Sequence, residues 1–243
     1  MTIKTNNLGG FIAPNSYIDY VFLLNHYNKL VEDMNDWLKT HTPEKDSISV
    51  YADDEELTAN QFLSTTTNFV ETIKTEEEQK HRHDWKSIPV FFEKNWNEKD
   101  FPKFTEFGKQ LRGLRQLIIN FIAPNGKITI HTDVDNWGKM SEDWGFTCEG
   151  YSLIATLKTG MKNSNDKTVG TMVRDIDSLV DTWSYPVLNE FVCFDGLRYN
   201  HAITNKTNEW RISAVFDIDK SMFDKKYIET DKQVCDSYLT YEI

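Results

Sequence analysis

The sequence contains little cysteine and no long apolar run. Only three of its 243 residues are cysteine. Their number is odd and they lie far apart, at Cys148, Cys193 and Cys235, which is typical of reduced thiols and not of a disulfide framework. No segment approaches the length of a membrane-spanning helix, and the first 15 residues lack the apolar region of a secretion signal. These absences favour a cytoplasmic protein that has no membrane partner.

Basic charge is also scarce. Lys and Arg number 27 against 38 Asp and Glu, which gives a net charge of −11. A protein that follows a phosphate backbone normally presents clustered Lys and Arg, and the most basic short stretch near the candidate site residues, 158–167, has only three lysines diluted by Asn and Asp. The charge balance therefore makes a nucleic-acid partner unexpected.

Apolar and aromatic residues are plentiful, at 39% and 13% of the chain, so a sizeable core can form. No repeat or low-complexity linker interrupts the sequence, which predicts a single domain over residues 1–243. We expect mainly helical support over 1–114, a strand-rich catalytic core over 115–219 and a C-terminal tail over 220–243. Helical periodicity covers 16–40, 55–80 and 104–114, and residues 87–93 read as a short strand.

From residue 116 onward, the sequence consists of short apolar runs separated by turn residues. Strands are predicted at 116–123, 127–133, 150–159, 190–194, 198–204 and 210–218, with a helix possible at 174–181. Short antiparallel strands of this kind predict a sandwich or jelly roll. The fold class expected is therefore α+β, a double-stranded β-helix (jelly roll) with supporting N-terminal helices.

The sequence KITIHTD, residues 127–133, contains the first polar pair of interest. Residues two apart on a strand share a face, so His131 and Asp133 converge, and Ile128 and Ile130 are expected together on the opposite face. An imidazole and a carboxylate supply two-thirds of a facial triad that suits non-haem Fe(II). Asp135 has the same strand parity as Asp133 and is the alternative carboxylate, although its place past the predicted strand end makes it the poorer candidate.

Three further polar residues follow in order. His201 comes 70 residues after His131, Arg211 comes ten residues after His201, and Ser213 follows two residues later. This ordered set resembles the Fe(II)/2-oxoglutarate-dependent dioxygenases over residues 115–219. The sequence NHAITNKTNEWRISAVFDI is similar to the C-terminal part of aspartyl/asparaginyl β-hydroxylase-like and related small hydroxylases.

The resemblance implies an iron site made of His131, Asp133 and His201, with 2-oxoglutarate as co-substrate. Arg211 and Ser213 share a strand face, and a bidentate guanidinium suits a carboxylate of that co-substrate. A salt bridge from Arg211 to Asp217 is the structural alternative. Tyr151, at the start of a neighbouring strand, is a candidate for one further hydrogen bond to the co-substrate.

The implied reaction is hydroxylation of a C–H bond coupled to decarboxylation of 2-oxoglutarate to succinate. The expected substrate is an amino-acid side chain in a protein, a peptide or a free amino acid. Candidate substrate contacts are Trp137 and Trp144, in the loop after the metal motif, and Arg198; the loop aromatics could equally seal the barrel mouth. A nucleobase hydroxylase and a non-catalytic jelly-roll binding protein are the alternative functions. The charged run holding His81, His83 and Asp84 is interpreted as solvated surface.

Overall fold

Two antiparallel sheets dominate the fold. A computed structural model of the chain describes residues 20–49, 76, 80–81, 83–92, 95–111, 113–131, 150–163, 165–174, 178–196 and 199–219. The larger sheet has the order β1-β2-β4-β11-β6-β9, with β3 paired to β2, and the smaller has the order β5-β10-β7-β8. The strands are β1 (Ile48–Ser49), β2 (Trp85–Phe92), β3 (Asn95–Trp96), β4 (Leu114–Ile122), β5 (Lys127–His131), β6 (Gly150–Lys158), β7 (Val169–Arg174), β8 (Asp181–Ser184), β9 (Phe191–Phe194), β10 (Asn200–Asn205) and β11 (Arg211–Asp219).

Helices cover the outer face of the larger sheet. They are α1 (Tyr20–Trp37), α2 (Pro43–Asp46) and α3 (Pro102–Gly108). Apolar side chains of α1 recur at helical spacing and are buried in one cluster with the outward side chains of β4, β6 and β11. Asp33 of α1 ties the helices together, because its carboxylate accepts from the backbone N–H groups of Lys103 and Phe104 at 2.9 and 3.0 Å. Those two donors belong to the first turn of α3, where no intrahelical acceptor exists.

A second apolar cluster fills the space between the sheets. From the larger sheet it takes inward side chains such as Ile122, Ile154 and Val215, and from the smaller one Val173 and Ile203. Alternation along β11 explains both clusters, since Ile212, Ala214, Phe216 and Ile218 contact the helical layer while Val215 faces the smaller sheet. The architecture confirms the predicted double-stranded β-helix with helical support.

Most predicted elements are found within a few residues of their expected bounds. The first helix, the strand before residue 93 and the strands β4, β5, β6, β9, β10 and β11 are all present. The predicted helix over 55–80 lies almost wholly outside the described residues. Cys193 is a buried free thiol, and Cys148 and Cys235 lie outside the described ranges. Among the described helices, none is long and apolar enough to span a membrane.

One expectation about local structure is wrong. Residues 169–174 and 181–184 form strands β7 and β8, so the possible helix over 174–181 is not supported by its described residues. The larger sheet includes residues before 115, because β2 pairs with β4 from Trp85↔Ile122 onward. The N-terminal part therefore contributes the strand predicted near 87–93 as well as helical support.

Removing residues 1–100 should consequently abolish folding. The truncated chain would lose α1 and β2, which exposes one edge of β4 and the apolar outer face of the sheet together. We expect aggregation, or loss of near-ultraviolet circular dichroism, in a chain that starts at Phe101. A soluble, monomeric protein with the native aromatic spectrum would contradict this.

Candidate active site

A β-bulge places the first imidazole inside the barrel. β5 and β10 pair at His131↔His201 and again at Ile128↔Ile203, so two residues of β5 stand opposite the single residue Ala202. An extra residue in one strand reverses the alternation beyond it. Ile128 is therefore 2% exposed in the inner cluster, Ile130 is 42% exposed, and His131 points inward with Ile128. The expectation that both isoleucines share the face opposite His131 is wrong for this reason.

The two predicted histidines meet between the sheets. Their ring centroids lie 4.3 Å apart. In each, Nδ1 lies within hydrogen-bond distance of the backbone carbonyl two residues earlier, at 2.8 Å for His131 and 3.2 Å for His201. A carbonyl only accepts, so Nδ1 carries the proton and Nε2 keeps the lone pair that a metal requires. Burial lowers the pKa of His201 to about 4, which keeps its imidazole neutral at pH 7.

The third predicted ligand, Asp133, lies outside the described residues, as does its alternative Asp135. Within the described ranges, no group of three or more His, Cys, Asp or Glu side chains could hold a metal. The two imidazoles nevertheless suit a borderline divalent metal in donor type and tautomer. The donor set present therefore fits iron, with the carboxylate ligand remaining a prediction.

Arg211 is a fully buried cation at the start of β11. Its Nη2 donates to Thr171 Oγ1 at 3.0 Å and its Nη1 to the Gly170 carbonyl at 3.4 Å, and both acceptors lie on β7 of the opposite sheet. Its Nε has no hydrogen-bond partner in the part of the chain that the structure describes. Desolvation lowers the pKa of Arg211 to about 10, which still leaves the guanidinium charged at pH 7.

The other buried arginine shows a different arrangement. Arg115 Nη2 lies 2.6 Å from Asp219 Oδ2, and both side chains are buried. Asp217, the alternative partner considered for Arg211, accepts from Ser152 and Gln116 further along the sheet. The Arg211 charge thus meets only neutral protein oxygens among the described residues, whereas the Arg115 charge is neutralised.

Buried hydroxyl groups lie beside Arg211. Ser213 follows on the same face of β11 and pairs with Thr156 of β6 and Asn120 of β4. Within the described residues, neither the Ser213 nor the Thr156 hydroxyl has a hydrogen-bond partner. Buried polar atoms without partners are rare in native proteins, and each requires an explanation, such as a bound water or ion or a catalytic role. Among the described residues, the interior therefore contains in adjacent positions a cation without a counter-charge and two hydroxyl groups without partners.

Sheet register relates Arg211 and the two hydroxyl groups to the histidines. His201 pairs with Val173 on β7, and Thr171, which accepts from Arg211, pairs with Ile203. Two residues along a strand span about 7 Å. The guanidinium therefore lies roughly two residues further along the strands than the imidazoles. A five-carbon dicarboxylate can span that distance.

Tyr151 is not brought to this site. It packs against the cluster beneath the helices, while Ser152, Ile154 and Thr156 of the same strand face inward. Strand parity thus corrects the predicted contact between Tyr151 and a co-substrate. The predicted substrate contacts Trp137, Trp144 and Arg198 lie outside the described residues.

Several inward polar residues were missed by the sequence reasoning. They are Thr156, Thr171, Asn120 and Trp85, the last of which lies 5.2 Å from His131 between ring centroids. Thr156, Thr171 and Asn120 each alternate with apolar neighbours on a buried strand, which is the signal that the sequence offers for them, whereas Trp85 stands between Asp84 and Lys86 and has no such signal. The partner strand and register needed to use that signal come from the fold.

No protein-family model and no curated protein sequence matches this chain. Solved structures do match it. A Trichoplax adhaerens prolyl hydroxylase, in complex with a hypoxia inducible factor peptide fragment, superposes with a TM-score of 0.53 at 9% identity over 89% of this chain and 87% of its own. A Pseudomonas putida prolyl-4-hydroxylase gives 0.49 at 12% identity, over 87% and 92%. At these identities the likeness shows the jelly-roll fold alone.

The depressed His201 pKa predicts a pH-dependent stability in the metal-free protein. Between pH 6.5 and pH 4 the unfolded chain binds a proton at this residue that the folded chain does not, so stability falls as pH falls through that window. The lowered pKa corresponds to a loss on the order of 3 kcal/mol.

We expect His201→Gln to flatten this part of the profile. Urea unfolding at pH 7.0 and pH 4.5 measures it, as the difference between wild type and variant, because carboxyl groups titrate equally in both. If the free energy of unfolding fell by the same amount from pH 7.0 to pH 4.5 in both proteins, the buried, neutral imidazole would be contradicted.

Proposed function

We propose that this chain is an Fe(II)/2-oxoglutarate-dependent dioxygenase that hydroxylates a C–H bond. One observation supports this above the rest. Two inward imidazoles, each with Nδ1 held by a backbone carbonyl, lie about 7 Å along the sheet from a buried arginine that has no counter-charge among the described residues. A metal site and an anion site at that separation fit a ligand that binds metal at one end and carries a carboxylate at the other.

The contrast between the two buried arginines supports an anionic ligand. Burying a charge without a counter-charge costs several kcal/mol, and Arg115 avoids that cost through Asp219. Arg211 meets a carbonyl and a hydroxyl instead. A carboxylate of 2-oxoglutarate would supply the missing counter-charge and an acceptor for the guanidinium fork.

The neighbouring hydroxyl groups fit the same ligand. Ser213 and Thr156 stand opposite each other on paired strands, and each could donate to a ligand oxygen and so satisfy a buried polar group. Thr171 holds the guanidinium from the facing sheet. Together these residues orient the co-substrate and exclude water from its charged end.

His131, His201 and the predicted ligand Asp133 would hold the iron. When bound, iron and 2-oxoglutarate supply dioxygen activation coupled to decarboxylation to succinate. The protein residues fix the tautomer of each imidazole, keep His201 neutral, and bury the reacting centre under Phe194, whose ring lies 4.8 Å from that of His201. Retention of a carboxylate at position 133 favours hydroxylation over halogenation.

The substrate that we propose is an amino-acid side chain, in a peptide, a protein or a free amino acid. The Trichoplax enzyme with the matching fold holds a peptide fragment, and the net charge of −11 disfavours a polyanion. Trp137, Trp144 and Arg198 are the proposed substrate contacts. The closer kinship with aspartyl/asparaginyl hydroxylases remains a prediction from the C-terminal motif.

Replacing Arg211 by Met should separate binding from folding. The change removes an uncompensated buried charge at similar volume, so stability should hold or rise, while 2-oxoglutarate binding weakens by about 2–5 kcal/mol. Calorimetric titration of 2-oxoglutarate into the Mn(II)-loaded protein and a thermal melt measure the two effects.

Arg115→Met is the matched control. It leaves Asp219 buried without its partner, so we expect a destabilisation of about 3–5 kcal/mol with unchanged 2-oxoglutarate affinity in the folded fraction. Equal 2-oxoglutarate affinity in wild type and Arg211→Met would remove Arg211 from the co-substrate site.

Replacing the metal ligands should abolish metal binding while the fold is kept. We expect Asp133→Ala, His131→Ala and His201→Ala each to lose tight Fe(II) binding and succinate formation from 2-oxoglutarate. Asp135→Ala is the control and should retain both. If Asp133→Ala were fully active and Asp135→Ala inactive, the carboxylate ligand would be Asp135.

A substrate panel tests the chemical class. Peptides, free amino acids and oligonucleotides are incubated with Fe(II), ascorbate and 2-oxoglutarate, and mass spectrometry follows the addition of one oxygen atom. We expect a hydroxylated amino-acid side chain. Oxygen addition to a nucleobase would overturn the substrate class and leave the dioxygenase assignment standing.

A further inference from the structure

The segment just before and within β2 supports both ends of the strand that carries His131. At the start of β5, the Lys127 backbone N–H donates to Asp84 Oδ2 at 3.1 Å. At its end, the Trp85 ring lies 5.2 Å from the His131 ring at an interplanar angle of 38°. His81 also contacts the Asp84 carboxylate, at 2.5 Å, so this pair is partly buried and not the solvated surface expected. The consecutive residues Asp84 and Trp85 therefore contact β5 at its start and at its end.

Trp85 is itself fixed by buried hydrogen bonds. Its indole Nε1 donates to Asn120 Oδ1 at 3.1 Å, and the Ser87 hydroxyl donates to the same oxygen. An indole N–H can only donate, so the amide oxygen of Asn120 must face Trp85. All three side chains are buried, and strand pairing places Ser87 directly opposite Asn120. The indole plane is thus set by the larger sheet.

β5 needs such support more than its neighbours do. Among the described strands it stands at the edge of the smaller sheet, next to β10, and its bulge interrupts that pairing immediately before His131. Strand pairing therefore constrains the His131 backbone weakly, and a metal ligand must be held within about 0.5 Å of its productive position.

We infer that Trp85, anchored by Asn120, is a positioning residue for the metal ligand His131. This rests on the proposed function, because it assumes that His131 binds a metal. Trp85 does not coordinate the metal. Its ring limits the orientations of the imidazole, and the hydrogen bond to Asn120 transmits the rigidity of the larger sheet to a ligand on the smaller one.

Co(II) alone is the probe, titrated into the metal-free protein with no co-substrate. We expect Trp85→Leu to weaken Co(II) binding about 10- to 100-fold, the range for partners that orient metal ligands. Trp85→Phe keeps an aromatic ring against His131 but loses the indole N–H, so a smaller loss is expected. Asn120→Leu should weaken binding, whereas Asn120→Asp keeps the acceptor oxygen and should not.

Tryptophan fluorescence provides a readout that a general loss of stability would not give. Co(II) at the histidine pair should quench Trp85, so the quenched fraction should fall in Trp85→Phe. Trp37 offers a matched control, since it also stacks on a histidine, His41, at 5.0 Å, but within the helical layer. Trp37→Phe should leave the amount of fluorescence that Co(II) quenches and the Co(II) affinity unchanged, so its quenched fraction should not fall.

The outcomes separate the two claims. If wild type binds Co(II), and Trp85→Leu and Asn120→Leu bind it equally well, the positioning role is wrong and the proposed function stands. If Trp85→Leu fails to fold, an unchanged quenched fraction in Trp85→Phe overturns the inference by itself. Failure of folded wild type to bind Co(II) would overturn the proposed metal site and this inference with it.

Discussion

The buried charge of Arg211 is the constraint on which the account of this interior depends. Ile, Val and Phe side chains supply most of the apolar cluster between the sheets, and an unpaired cation is strongly disfavoured in such surroundings. Within the described ranges, this guanidinium donates only to a hydroxyl and a carbonyl, whereas Arg115 pairs with a carboxylate elsewhere in the same sheet. An interior built this way is more favourable with an anion bound than without one.

The histidine pair would determine how such an anion is oriented in the interior. β10 runs from His201 into the barrel, and β11 returns from there with Arg211 at its start. The connection between these two strands therefore determines how far inside the barrel Arg211 lies relative to the imidazoles. Pairing of His131 with His201 then fixes the second imidazole at the same level. The two halves of the site thus lie on different sheets, and they are related by strand register and not by direct contact.

Sequence patterns predicted much of this arrangement, and the failures have identifiable causes. Alternation of apolar residues located β4, β6 and β11, and the order of His131, His201 and Arg211 identified the interior polar groups. The bulge at Ala202 could not be predicted, because an extra residue is recognisable only when the partner strand is known. Tyr151 was misplaced although its own strand alternates regularly, since choosing the inward face requires knowing where the helices pack.

Residues that precede the predicted metal and co-substrate motifs contribute contacts to the candidate site that the composition of the sequence did not indicate. Trp85 and Ser87 lie outside the segment that resembles known dioxygenases, yet both donate to Asn120, and the Trp85 ring contacts His131. Such contacts have no sequence spacing to reveal them, because they join β2 to β4 and β5 through the fold. Residues that position a candidate metal ligand can therefore be harder to recognise in a sequence than the candidate ligand itself.

The most direct test of the central claim is anaerobic absorption spectroscopy of the purified chain with Fe(II) and 2-oxoglutarate. The account predicts a weak metal-to-ligand charge-transfer band in the visible region that requires both additions and saturates at one iron per chain. A folded protein that shows no such band at saturating Fe(II) and 2-oxoglutarate would contradict it.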